Sequence, residues 1–392
     1  MNIILFDDKR ENLFPFTLTR PIAEIRWGIT TIKQKWEAHN LEVSCLTETY
    51  LSRKFPCRYA RENFYVNAGL LPNPELLGKM KTLESEQAIV GNQGEILVLK
   101  SKEKFKAGDI NCTSQLKADF SYILLRNVWE IFGGNAENIQ RDFQQLTKGK
   151  TSQKLSKSNI LIGDNIFIEE GAKVEAAILN SSTGPIYIGR NAEIMEGSSI
   201  RGPFALCESA VVKMSAKIYG ATTVGPYSKV GGEVGNSVIF GYSNKGHDGF
   251  LGNSVLGEWC NLGADTNVSN LKNDYGNVKI WNYKKAAFLD TGQQFCGLMM
   301  GDHSKSGINT MFNTGTVVGV NANIFGSGFP EKYIPSFSWG GAAGFTEYRL
   351  EKALQVAERV MSRRDIPLTT DDKKILGHLH SFTKTSRQKQ RL

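Results

Sequence analysis

A spacing of six residues governs the middle of this 392-residue chain. Ile188, Ile194, Ile200, Leu206, Val212, Ile218, Val224 and Val230 recur at that interval. Ile162, Ile168 and Val174 carry it earlier, and Phe250, Leu256, Leu262 and Val268 resume it in a new phase. Met300, Ser306, Phe312, Val318 and Ile324 form a third, weaker block. A helix repeats its apolar face about every 3.6 residues and a half-buried strand every second residue. A period of six fits neither and marks a hexapeptide parallel β-helix, in which each unit supplies one flat side of a coil and its aliphatic residue points to the centre. Small residues after many of these positions, as in IGRNAE, VGPYSK and LGADTN, suit tight corners. A coil buries its face only by stacking on the next, so the pattern demands an extended, cooperative array.

The flanks read differently. Residues 1–150 alternate strand-like and helix-like segments, which predicts an α/β domain. IILF is a buried strand there and not a signal peptide. Residues 29–39 predict a helix, residues 64–80 a strand, a turn and a helix, and residues 121–146 a long helix. The polar stretch TKGKTSQKLSKSN is the expected linker to a solenoid over 158–335. Residues 336–392 form a helical tail: Leu350, Ala353, Leu354, Ala357, Val360 and Met361 share one face, and Thr370 is expected to cap a second helix. The last ten residues, TKTSRQKQRL, are expected to be frayed and solvated.

The net charge of +8 suits phosphorylated small substrates, and no nucleic-acid motif accompanies it. No apolar run is long enough to span a bilayer. Six cysteines without a C-x-x-C pair predict reduced thiols in a cytoplasm and no metal site. His378 and His380, two residues apart, do not share a helix face, and His39 and His303 lack supporting residues.

The six-residue register is lost after Val230 and returns at Phe250, which predicts a loop ejected at about 235–250. That stretch contains GYSNKGHDGFLG, with Lys245 and His247, the latter able to exchange a proton near neutral pH. Residues one coil apart lie about 5 Å from each other, so His247 is expected to meet Asn270 by stacking.

HDGFLGNSVLGEWCNLGADTNVSNLKND resembles the acetyltransferase signature of the bifunctional UDP-N-acetylglucosamine pyrophosphorylase/glucosamine-1-phosphate N-acetyltransferases and their archaeal-type relatives. The matching positions are His247, Phe250, Leu251, Gly252 and Asn253, then Asn261, Gly263, Ala264, Asp265 and Thr266, then Asn270. The resemblance implies a left-handed β-helix, a homotrimer, and acetyl-CoA bound between neighbouring solenoids. It makes His247 the general base on a sugar amine and sets Asn270 near that amine. Ala264 and Ile308 would line the acyl-CoA, and Lys245, Phe250, Lys272 and Lys279 the sugar phosphate. Phe250 replaces the family tyrosine, and Gly235 stands where the family has a lysine.

IILFDDKRENLFPFTLTRP is similar to the opening of the same family's nucleotidyltransferase domain, in the manner of an atypical bacterial branch. Asp8 and Arg10 occupy its glycine positions, Asn12 its arginine and Ile22 its lysine; Ala68 and Gly69 stand where a magnesium-binding aspartate is expected. Lys9, Arg10 and Arg20 are the cations left to hold a nucleotide. The expectation is therefore an acetyl-CoA-dependent N-acetyltransferase with a diverged nucleotidyltransferase-like domain. A fully bifunctional enzyme, which alone would need magnesium, and a non-catalytic sugar-phosphate sensor or scaffold are the alternatives.

Overall fold

The computed structural model describes residues 1–389. It divides into two compact units: residues 1–13, 19–25 and 30–127 form one, and residues 14–18, 26–29 and the chain from 128 onward form the other.

The first unit is built on a six-stranded mixed sheet. Strand Asn2–Phe6 lies between Glu42–Leu46 and Asn63–Asn67, parallel to both. Its apolar run leaves Ile3, Ile4 and Leu5 fully buried, as a strand covered on both faces requires. Strand Ile96–Ser101 then runs antiparallel to Asn63–Asn67 and to Gln87–Val90. Helix Ile32–Glu37 begins at Thr31, whose hydroxyl accepts from the Gln34 backbone while the Gln34 side chain accepts from the Thr31 backbone, a reciprocal cap. Helix Pro74–Thr82 follows Asn63–Asn67, in the predicted order.

The second unit is a three-sided parallel solenoid. One side has six strands, from Ile160–Ile162 to Phe250–Gly252, and a second has nine, from Ile166–Ile168 to Tyr333–Ile334. The third ends in the antiparallel hairpin Ser338–Gly341 and Gly344–Glu347. Most early coils take 18 residues, three sides of six: Ile186 pairs with Phe204, and Phe204 with Thr222. All eight aliphatics of the longest six-residue run are at most 2% exposed.

The structure corrects the predicted loop at 235–250. That stretch stays in the ladder: Lys229 pairs with Asn244 and Glu233 with Phe250, so one coil is shortened and nothing is ejected. Deleting residues from a coil destroys the phase just as inserting them does, so spacing alone does not tell the two apart. The excursion comes later. Val255 pairs with Met299, and between them the hairpin Lys279–Asn282 and Ala287–Asp290 leaves the solenoid.

Three boundaries differ from the sequence expectation. The stretch 121–146 forms two helices, Val128–Gly133 and Asn135–Thr147, that belong to the solenoid unit. The Asn135 amide donates to the Ala221 carbonyl at 2.9 Å, and Ile139 packs with Phe167, Tyr187 and Ala205. The polar segment after them is no free linker, because the Gln153 backbone donates to Ile168 and Leu155 packs on the solenoid core. At the far end, helices Leu350–Ser362 and Thr370–Phe382 match the predicted pair, but Thr369 rather than Thr370 is the cap, bonded reciprocally with Asp372. Residues 383–389 are not frayed. Thr383 and Arg387 are buried, and the Arg387 guanidinium donates to the carbonyls of Ser336 and His380 and to Glu347. Residues 390–392 of the expected basic tail lie outside the described residues.

Candidate active site

His247 is exposed on a corner of the solenoid, between strands Asn244–Lys245 and Phe250–Gly252. The corner needs glycine: Gly249 has φ +112, and a Cβ there would lie 2.3 Å from the Thr266 carbonyl oxygen.

Lys245 does not face a substrate. It is register partner to Val230, in an inward core position, and only 2% exposed. Its ammonium donates to the carbonyl of Gly231 at 3.0 Å and to that of His247 at 2.5 Å. Burial pulls its pKa down to about 8 against the favourable charges of Asp248 and Asp265. The buried cation thus pins the peptide that carries His247.

Coil stacking decides what stands beside the imidazole. The Asp265 backbone donates to Asp248 and the Asn309 backbone to Ala264, so Ala264 and then Ile308 follow His247 along one corner ridge. Ile308 is 70% exposed, which leaves this ridge open. The two residues expected at the acyl group are therefore brought into line with His247. Asn270 is not. Its amide donates to the Asn253 side chain at 2.8 Å, at the far end of strand Phe250–Gly252 from His247. The expected stacking contact between His247 and Asn270 is replaced by this Asn253 pairing. Phe250 lies between them: a Cβ on Gly252 would meet its ring and the Asn270 amide together, at 2.5 and 2.6 Å. Lys272 pairs with Asp274 at 2.9 Å, and Lys279 sits in the excursion hairpin; neither lines the cavity at His247.

That cavity, of about 390 Å³, was not foreseen. Its floor is the outward column Lys229, Asn244 and Asn261; Lys213, Gly246 and His247 border it at one corner, and Tyr242 and Trp259 at another. Val360, Arg363 and Arg364 reach it from the end of helix Leu350–Ser362. Tyr227, Tyr242, Trp259 and His303 stack in sequence at centroid separations of 5.2, 4.3 and 6.3 Å. All four have φ near +60, uncommon for bulky residues, and the stack holds them there. Lys213 and Lys229 flank the inward positions Val212 and Val230, which is a signal in the repeat pattern. The two arginines follow the C-terminal helix, far in sequence from the solenoid residues of the lining, and no local signal joins them to the cavity.

A second cavity, of about 290 Å³, opens in the first unit beyond the ends of strands Asn2–Phe6 and Asn63–Asn67. Asp8, Lys9, Asn12, Asn67, Glu95 and Arg126 are among its walls. Of the three cations expected at a nucleotide, Lys9 lines this cavity, whereas Arg10 and Arg20 are buried and do not. Arg10 turns back to Asp7 at 3.5 Å and to the Tyr50 hydroxyl at 3.1 Å. Burial still raises the Asp7 pKa to about 6 against Arg10, Thr47 and the Ile22 backbone. Arg126 is held by Glu95 at 2.6 Å.

Comparison with known proteins agrees with the two-part reading. Residues 3–151 match the sugar nucleotidyl transferase family. The chain is 30% identical over 175 residues to a bifunctional sugar-1-phosphate nucleotidylyltransferase/acetyltransferase of Sulfurisphaera tokodaii, covering 44% of this chain and 41% of that one. It is 31% identical over 135 residues to the bifunctional protein GlmU of Methanocaldococcus jannaschii, covering 34% and 30%. A putative uncharacterized acetyltransferase of Escherichia coli K12, YaiX, is 25% identical over 194 residues, covering 49% of this chain and 79% of its own. The chain thus spans less than half the length of the first two relatives.

Proposed function

We propose that the solenoid unit is an acetyl-CoA-dependent N-acetyltransferase acting on an amino-sugar phosphate, with His247 as general base. One observation carries this reading: an exposed histidine, its own carbonyl tethered by a buried lysine, lines a polar cavity on the ridge shared with Ala264 and Ile308. The names of the relatives, sugar-1-phosphate nucleotidylyltransferase/acetyltransferase and acetyltransferase, support the reaction class and the sugar phosphate.

The chemistry needs few parts. The sugar amine attacks the thioester carbonyl with its lone pair, so it must be unprotonated. His247 accepts the proton as the C–N bond forms. The C–S bond then breaks and CoA leaves as a thiol, taking a proton back. Lys245 acts as a positioning residue, because it is buried and holds the His247 backbone. Asn270, beside Phe250 and tied to Asn253, is set to orient the sugar rather than the base.

The open ridge at Ile308 suits a second solenoid closing the acyl-donor site in a homotrimer, and light scattering at micromolar concentration tests that assembly. Six free thiols suit a reducing cytoplasm. The functional test is thiol release from acetyl-CoA across a panel of amino-sugar phosphates. His247→Ala should lower turnover by about two to four orders of magnitude with little loss of stability. Wild-type turnover in that variant would remove His247 from the mechanism.

Nucleotidyl transfer by the first unit is the second reading, favoured by the family match over residues 3–151 and by a cavity beyond the strand ends. Asp8 and Glu95 face that cavity, and Arg126 is already engaged by Glu95. Lys9 is left as the lining cation without such a carboxylate, a weak complement to a triphosphate. Magnesium belongs to this reading alone.

A further inference from the structure

We propose that the cavity beside His247 is a binding site for a phosphate-bearing ligand, and that the end of helix Leu350–Ser362 is its cationic cover. The reading of acetyl transfer supplies the ligand's role; the site itself stands on charge and geometry.

Four cations converge here. Lys213 and Lys229 come from successive coils, and Arg363 and Arg364 follow the C-terminal helix; no carboxylate is among the lining residues. None of the four is engaged in an ion pair among the described residues, and the Lys213 ammonium meets only the Met195 thioether, at 3.8 Å. Other cations of the same unit do have carboxylate partners: Lys217 has Glu233, Lys272 has Asp274 and Arg387 has Glu347. The four also repel one another. The Lys229 pKa is lowered, first by burial and then by Arg364, Lys213 and Arg363, with Glu193 opposing. Clustered like charges cost free energy in the protein alone, and a multiply charged anion removes that cost on binding.

The shape suits such an anion. Lys229, Asn244 and Asn261 stand one coil apart in the floor, so the column spans about 10 Å at the usual strand spacing. The amides of Asn244, in the coil of His247, and of Asn261, in the next, add neutral hydrogen-bond groups beyond Lys229. Guanidinium groups offer paired N–H donors that match phosphate oxygens. A phosphate held at the lower coils would leave the rest of the ligand running toward the imidazole. The C-terminal helices thereby gain a role: the segment after Leu350–Ser362 carries two of the four charges to a groove whose other two come from the solenoid.

Two ligands carry this chemistry, the acyl donor through the phosphates of CoA and the acceptor through its sugar phosphate. Calorimetric titration of the full chain distinguishes them. The probes are CoA against dephospho-CoA, and glucosamine 1-phosphate against glucosamine. At least one phosphate-bearing probe should bind more tightly than its counterpart and weaken at high salt. The Arg363→Gln/Arg364→Gln variant should weaken it by about tenfold or more, the scale of a lost charge-assisted contact. Lys229→Gln, on the solenoid side, should weaken it in the same direction with the helices undisturbed. A preference for CoA over dephospho-CoA assigns the site to the donor, and a preference for the sugar phosphate over glucosamine assigns it to the acceptor. Indifference to the phosphate in both pairs, or unchanged affinity in a folded double-arginine variant, overturns the proposal. Phosphate-dependent binding without thiol release from any panel substrate would instead refute acetyl transfer and leave this site standing.

Discussion

Replacing Lys245 by methionine separates what a buried lysine does for stability from what it does for the site. The side chain occupies an inward core position in register with Val230. Methionine keeps the length and removes the charge. Burial lowers the lysine pKa from 10.5 to about 8. At about 1.4 kcal/mol per unit, that shift corresponds to about 3 kcal/mol between charged and neutral forms. Below pH 8 both folded and unfolded chains hold the proton, so the native state bears the whole cost of the buried charge. Between pH 8 and 10.5 the folded lysine is neutral while the unfolded one is still protonated. The unfolded state then binds more protons, and stability rises with pH. Against this, the ammonium donates to the carbonyls of Gly231 and His247, charged hydrogen bonds of about 1.5–3 kcal/mol each. The two effects nearly offset at neutral pH, so Lys245→Met should change stability there by only about 2 kcal/mol or less. Its stability from urea unfolding, measured from pH 7 to 10.5, should rise less steeply with pH than that of the wild type. The gap between the two proteins should widen in favour of the wild type by about 3 kcal/mol across that window. Lys305, also lowered to about 8, contributes equally to both proteins and cancels. Thiol release should fall in the variant even at neutral pH, because His247 loses its tether. Parallel stability curves for the two proteins would refute the buried-cation argument, and undiminished thiol release would refute the tether.

Gly249→Ala should destabilise the solenoid by about 1–3 kcal/mol in urea, because its φ of +112 and the Thr266 oxygen at 2.3 Å leave no place for a methyl group. Arg387→Ala should expose the C-terminal helices to limited proteolysis at a loss of about 2–4 kcal/mol, since the buried guanidinium holds Ser336, His380 and Glu347 together. Incubation with UTP or dTTP, magnesium and a hexose 1-phosphate should release pyrophosphate well below about 1 per second, and a faster rate would favour a bifunctional enzyme.

The solenoid was legible because its repeat is local. An aliphatic every six residues can bury itself only on a three-sided coil, so Ile188 to Val230 determined the core before any contact was known. His247 stood out in the broken register, Ala264 and Ile308 entered through the family resemblance, and coil stacking sets the three along one ridge. The first strand, Asn2–Phe6, also announced itself by an unbroken apolar run. What the tertiary structure decided is where polar and charged side chains point. Lys245 reads as a surface cation beside His247, yet the shortened coil turns it inward to bind two carbonyls. Arg10 reads as a phosphate ligand, yet Asp7, buried behind it, draws it away from the cavity. Lys213, Lys229, Arg363 and Arg364 meet because a helix folds back over the coils. Burial of an aliphatic residue follows from its own transfer free energy, which the sequence states directly. The direction of a charge depends on the field and the partners around it, and those exist only once distant segments have packed.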